Sequence, residues 1–213
     1  MRAQVWRDLD FVLGRDWKHE TGATLKVRIT CVDSGGHHTE QVYRYTGARR
    51  RRAVFATKGM SEPGASPIGN PSLVSGKRVR LFPLGTTALK DSLYARLRID
   101  TQGPRYVHFP MVEEEYFRQL TAEKVIVRYS RGRPVRQYEK VYERNEALDL
   151  YVLAYAGLLI LGSVKDQLGK MVAALAAAQT PAPETPIPPT TMAAEKLKKM
   201  RRTPKRRNWI NDY

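Results

Sequence analysis

Hydrophobic and polar positions change period several times along this chain, and each change predicts an element. In VWRDLDFVL, residues Val5, Trp6, Leu9, Val12 and Leu13 fall on one helical face, which predicts a short amphipathic helix. The run from Leu25 to Asp33 (LKVRITCVD) alternates and then turns apolar, as a strand does on entering a core, and stops at Ser34-Gly35-Gly36. A helix is expected from about Thr39 to Arg49, with Thr39 as its N-cap. Ala53 to Thr57 predicts a second strand closed by Lys58-Gly59, and Arg78 to Pro83 a third. Residues 61–76 between them are rich in Pro and Gly and predict a long mobile loop. Thr86 or Thr87 caps a helix through Ala88 to Leu97, Tyr106 to Phe109 predicts a short strand, and Glu113 to Leu120 a helix. Lys124 to Tyr129 and Val135 to Tyr142 form a hairpin pair across the turn at residues 131–134. Asn145 opens a long helix ending near Gly162. Strands alternating with helices argue for an α/β or α+β layer structure.

The pattern stops there. Residues 163–194 turn Ala-, Pro- and Thr-rich, a linker composition, and residues 195–207 (EKLKKMRRTPKRR) carry eight cations and one acid. That gives a domain over 1–162, a linker over 163–194 and a basic tail over 195–213. The full chain of 213 residues has 37 Lys and Arg against 21 Asp and Glu, a net charge of +16. Such an excess favours a polyanionic partner, since each cation set on a phosphate releases condensed counterions. The single Cys31 excludes an internal disulfide framework and a multi-thiolate zinc site, and its apolar surroundings predict a buried thiol. The apolar run from Leu150 to Leu161 is too short to span a bilayer, which needs roughly 20 residues. A soluble, cytoplasmic protein is expected.

Two carboxylates stand out. Asp33 closes an apolar strand just before two glycines, where open α/β sheets keep their sites; the plainer alternative is a turn-forming Asp. Asp149 is the only charge between Glu146 and Lys165 and opens a strongly apolar helix, with Glu146 on the same face. Its plainer alternative is an acid favoured by the helix dipole. One acid from a strand end and one from a helix start suit Mg²⁺ or Mn²⁺ held against phosphodiester oxygens. The adjacent His37 and His38 point in different directions and lack a Cys partner, which argues against zinc. Lys58 is expected at the same sheet edge as Asp33, able to stabilise phosphate or developing charge. Lys90 is a weaker candidate for a DNA-backbone contact, its plainer reading being a solvated cation. No P-loop is present, because Gly76-Lys77 is followed by Arg78.

Taken in order, VWRDLD, ITCVDSGGHHTEQVYRY, VFATKG, LFPLGTTALKDSLYARL, YVHFP, YFRQLTAEK and RNEALDLYVLAYA resemble the nuclease region of the lambda-type large terminase subunit over about residues 1–160. The resemblance implies an RNase H-like α/β fold that cuts concatemeric phage double-stranded DNA with two divalent ions during packaging. It makes Asp33 the middle metal acid and Asp149 the last, with Glu146 in the same final motif and Lys58 the lysine of a Lys-Gly motif beside the scissile phosphate. It also implies an N-terminally truncated domain. The first acidic strand and the ATPase domain precede this region in such terminases, and Asp8 and Asp10 sit in a helical segment rather than on an apolar strand. The sheet is therefore expected to have an unpaired edge. The first metal acid would come from another chain or be absent, and the C-terminal extension would be disordered or helical. Expected partners are DNA, a chain carrying the ATPase, the small terminase subunit and the portal. DNA contacts are expected from Lys58, Lys90, Lys198, Lys199, Arg201, Arg202, Lys205, Arg206 and Arg207. The alternative function is a non-catalytic DNA-binding remnant or packaging accessory of a prophage.

Overall fold

Three short apolar runs build the centre of the molecule. The computed structural model describes residues 2–162, apart from 20, 21, 61, 75, 77, 78 and 131, together with 169–170, 172–174 and 176–177. The chain opens with helix α1 (Arg2–Gly14) and a two-residue ladder of β1 (Trp17–Lys18) with β2 (Thr24–Leu25). Strand β3 (Thr30–Asp33), helix α2 (Thr39–Ala48), strands β4 (Val54–Gly59), β5 (Ser72–Val74) and β6 (Val79–Leu84), and helix α3 (Thr86–Arg96) follow. The chain then forms helix α4 (Glu114–Leu120), the hairpin of β7 (Glu123–Ser130) with β8 (Arg133–Lys140), and helix α5 (Glu146–Gly162).

The central sheet has the order β3-β4-β6-β5, with β3, β4 and β6 parallel and β5 antiparallel. Among the described residues β3 pairs with β4 alone. Alternation sorts each strand's side chains onto two layers. Ala56, Val79 and Leu81 pack with Val42 of α2 and Trp6 of α1 on one face. Phe55, Phe82 and Leu84 pack with Leu89 of α3 and Val152 and Ala156 of α5 on the other. The mixed α/β architecture agrees with the alternation of predicted elements.

Several elements differ from expectation. The strand predicted from Leu25 begins only at Thr30, and Lys26, Val27 and Arg28 before it are exposed. In α1 the inward positions are Trp6, Leu9, Asp10 and Leu13, whereas Val5 and Val12 are 63% and 42% exposed. The predicted strand at Tyr106–Phe109 is irregular chain, held by Tyr106 against His108 and by Phe109 against Tyr116 and Phe117. The Pro/Gly-rich segment is not a free loop. It contributes β5, and its backbone is tied down by Gly69 N–H to Pro83 O at 2.8 Å and Gly85 N–H to Pro67 O at 3.2 Å. Within 163–194 the described positions are helical, while the tail residues Lys198, Lys199, Arg201, Arg202, Lys205, Arg206 and Arg207 lie outside the described residues.

Gly85 shows how tightly that segment is packed. A Cβ there would run into the carbonyl oxygens of Ser66 and Ala65, the latter at 2.7 Å. Backbone on both sides leaves nothing flexible to yield. Gly85→Ala is therefore expected to cost about 1–3 kcal/mol, as overpacked cores do. A urea midpoint equal to that of the parent would show the segment to be looser than this packing.

Candidate active site

Helix α5 runs antiparallel to β3, and this brings its first turn to the carboxyl end of the sheet. Gly157 allows the approach, since a Cβ there would lie 3.2 Å from Ile29 Cγ2 and 3.7 Å from Cys31 Sγ. Burial beside α5 pushes the Cys31 thiol up to about 11, so it is an inert packing group, as its surroundings predicted. With Cys31 facing α5, alternation turns Asp33 to the same face, and Asp149 lies in the first turn of α5 at that end of the sheet. The Asp149 carboxyl is held above its ordinary range. Loss of surrounding water comes first; Lys90 opposes it, the Glu123 carboxylate adds to it, Lys140 opposes and Asp33 adds again. The two acids singled out in the sequence therefore share a face and feel each other's charge.

The turn after β3 is built to present Asp33. Gly35 N–H donates to Asp33 Oδ1 at 3.0 Å, so the turn-forming role is real and coexists with exposure of the carboxylate. Ser34 is buried, its N–H and Oγ–H both donating to Thr57 O at 2.8 Å. Thr39 does not cap α2. Its hydroxyl is instead placed to bind Ser34 O at 2.6 Å and Gly36 O at 2.9 Å, drawing the loop shut. His38 occupies the N-cap position without a side-chain bond. At the start of α5, Gln119 Oε1 accepts the Ala147 N–H at 3.3 Å, capping the helix from α4.

The remaining predicted residues divide. Lys58 is the penultimate residue of β4 at the same end of the sheet, one register step beyond the Asp33–Thr57 pair. Its alternation phase is that of Val54 and Ala56, the α2 layer, so the strand does not aim it at the Asp33–Asp149 face. Glu146 is 60% exposed and turned to Arg144 Nε at 3.4 Å rather than toward Asp33. Lys90 is not a solvated cation. Its Nζ lies 2.6 Å from Glu123 Oε2, with side chains only 13% and 8% exposed. Asn145 Nδ2 donates to Glu123 Oε1 at 3.1 Å, joining the same cluster. Glu123 escapes a reading of the sequence, where an acid opening a strand after Ala122 carries no distinguishing signal. No group of three metal-capable side chains occurs among the described residues. The donor set is two hard carboxylates, which fits Mg²⁺ or Mn²⁺ keeping several waters, and His37 and His38 are both exposed.

Asp10 has a separate, structural role. Arg49 Nε donates to Asp10 Oδ1 at 2.6 Å, a second guanidinium nitrogen reaches Oδ2, and Tyr45 OH donates to Oδ1 at 3.1 Å. This pins α1 to α2, with Trp6 stacked on Tyr45 at 4.4 Å. The Arg49 hydrogen bond, ahead of burial acting the other way, holds the Asp10 carboxyl below its ordinary range. A depressed folded value stabilises the fold above the unfolded Asp value of about 3.9 and is lost as pH falls through the folded one. Asp10→Ala is expected to cost about 1 kcal/mol at neutral pH, and that cost should shrink once acid has protonated the carboxyl in the parent. Unfolding midpoints that differ equally in acid and at neutral pH would contradict this.

The large terminase subunit of Enterobacteria phage P21 is 29% identical over 161 residues, covering 71% of this chain and 25% of its own length. That of Escherichia phage lambda is 29% identical over 160 residues, again covering 71% and 25%. The chain thus spans about a quarter of the length of the curated relatives it matches. No solved structure is a significant match. The family model described as "Terminase large subunit gpA, endonuclease domain" matches residues 1–168, and this chain belongs to that family.

Proposed function

We propose that this chain is the endonuclease part of a DNA-packaging terminase and cuts concatemeric double-stranded DNA at a divalent-ion centre founded on Asp33 and Asp149. What supports the reading is that alternation along β3 and the run of α5 put both carboxylates on one face, toward the carboxyl end of parallel strands. RNase H-like topology is part of the proposal, supported by the parallel β3–β4 pair with α5 laid antiparallel across it. Bound Mg²⁺ or Mn²⁺ would supply Lewis-acid activation of water and charge stabilisation at the phosphate. The chain's own residues hold and orient the centre. Gly35 fixes the Asp33 carboxylate, the α5 N-terminus favours negative charge beside it, and Lys90 and Lys140 offset the repulsion at Asp149.

Two carboxylates form a sparse centre, which bound waters and the phosphate oxygens of the DNA would complete. The small terminase subunit and the portal are further partners of this reading. The absence of a three-ligand cluster among the described residues favours a second reading, in which the isolated chain holds DNA without cutting it. Incubating the purified chain with supercoiled plasmid and Mn²⁺ separates the two. Nicked and linear products that vanish with EDTA support the nuclease; binding with no product at any metal concentration supports the second reading.

A further inference from the structure

Hairpin β7–β8 has more to do than close the fold. Its register runs from Glu123↔Lys140 to Ser130↔Arg133, with Gly132 at φ 75 in the two-residue turn, and it pairs with no other strand among the described residues. The base is anchored firmly. Tyr138 stacks on Tyr94 at 5.6 Å and donates its hydroxyl to Asp91 at 2.6 Å, Arg136 binds the same carboxylate at 2.8 Å, and Glu123 meets Lys90. The far half is different. Tyr129 and Val127 are 77% and 58% exposed, an unfavourable surface to leave on a ribbon with no partner.

Pleating places Lys124, Arg128 and Arg133 on one face, against one acid, Glu139, which Arg128 engages at 2.8 Å. Lys124 and Arg133 have no ion pair among the described residues. The same ribbon starts beside the candidate centre, because Glu123 at its base accepts at 3.1 Å from Asn145, which precedes α5 and stands four residues before Asp149. Seven steps along β7, at about 3.3 Å each, carry the tip roughly 23 Å away. One turn of duplex is about 34 Å, and the major groove admits a two-stranded β-ribbon.

We propose that hairpin β7–β8 is a duplex-DNA arm: its tip enters the major groove roughly seven base pairs from the cut, with Lys124, Arg128 and Arg133 on the flanking phosphates. This rests on reading the chain as acting on DNA, but not on its being catalytically active. The test uses the full chain and a fluorescent duplex of about three helical turns in EDTA, so that no cleavage is needed. The triple variant Lys124→Ala/Arg128→Ala/Arg133→Ala is compared with Arg44→Ala/Arg50→Ala/Arg51→Ala, which removes equal charge from α2 and the turn after it. The hairpin variant should bind at least about tenfold more weakly and lower the slope of log K against log salt by about 2.7, near 0.9 for each phosphate no longer neutralised. The other triple should change binding by less than about threefold. Equal losses in both, or parent-like binding by the hairpin variant, would overturn the proposal and leave the exposed tip to a protein partner. Should the triple variant unfold, the charge reversal Arg133→Glu alone carries the same comparison against Arg51→Glu. Hairpin-dependent binding without any plasmid cleavage would sink the nuclease reading and leave this one standing.

Discussion

Asp33→Asn is expected to abolish roughly a thousandfold of the Mn²⁺-dependent cleavage while leaving the fold and DNA affinity intact, a loss of the size seen when a group that stabilises the reacting charge is removed. Asparagine keeps the side-chain oxygen that accepts the Gly35 N–H at 3.0 Å, so the turn after β3 survives the change. What disappears is the negative charge that would bind the ion. Because Asp33 and Asp149 repel one another, losing one charge relieves repulsion and adds none. The unfolding midpoint should therefore hold or rise slightly, and binding to polyanionic DNA should hold or tighten. That combination separates a metal acid from a turn residue: a purely structural Asp33 would show little loss of cleavage. Asp149→Asn should match it, and the double variant should be no worse than either single one, since half a centre binds ions as poorly as none. A residual rate within about tenfold of the parent in Asp33→Asn would remove Asp33 from the centre.

Which parts of this arrangement were legible beforehand follows from how local their causes are. Strand β4 and helix α5 announce themselves, the first by a short apolar run stopped by Lys58-Gly59, the second by an apolar stretch too long for a strand. Hairpin β7–β8 was legible from its turn, since Gly132 tolerates the positive φ that a two-residue connection demands. Asp33 and Asp149 were legible as isolated charges at the ends of apolar elements. The rest depended on partners distant in sequence. Lys90 looks solvated until Glu123, 33 residues later, is found across from it. The 61–76 segment reads as loop because its composition says nothing of the edge of β6 against which β5 lies. Lys58 shows a subtler limit. Its place at the strand end was clear, but its side depended on which layer Val54 and Ala56 face, and that is fixed by α1 and α2.

The Lys90–Glu123 pair provides the sharpest stability prediction, because the two readings of Lys90 lead to opposite results. A DNA-binding lysine replaced by methionine would cost affinity and little else. A lysine buried against Glu123 leaves, on removal, a carboxylate that is 8% exposed with only Asn145 donating to it from the side chains described. Breaking such a pair from one side costs about 3 kcal/mol, because the remaining charge has lost its counterion without regaining water. Lys90→Met is accordingly expected to lower the urea unfolding free energy by about that amount. Lys90→Met with Glu123→Leu should recover most of it, since replacing both partners with apolar groups is often neutral. The cluster joins α3, β7 and the residue preceding α5, so the damage should extend to the centre: Asp149 loses its principal opposing cation, and the Glu123 carboxylate that Asn145 still holds is left without its counterion. Cleavage by Lys90→Met should therefore fall even at temperatures where the variant remains folded, and return in the double variant only as far as the geometry of α5 returns. An unchanged unfolding free energy in Lys90→Met, with weakened DNA binding, would restore Lys90 to the surface role its sequence context suggested.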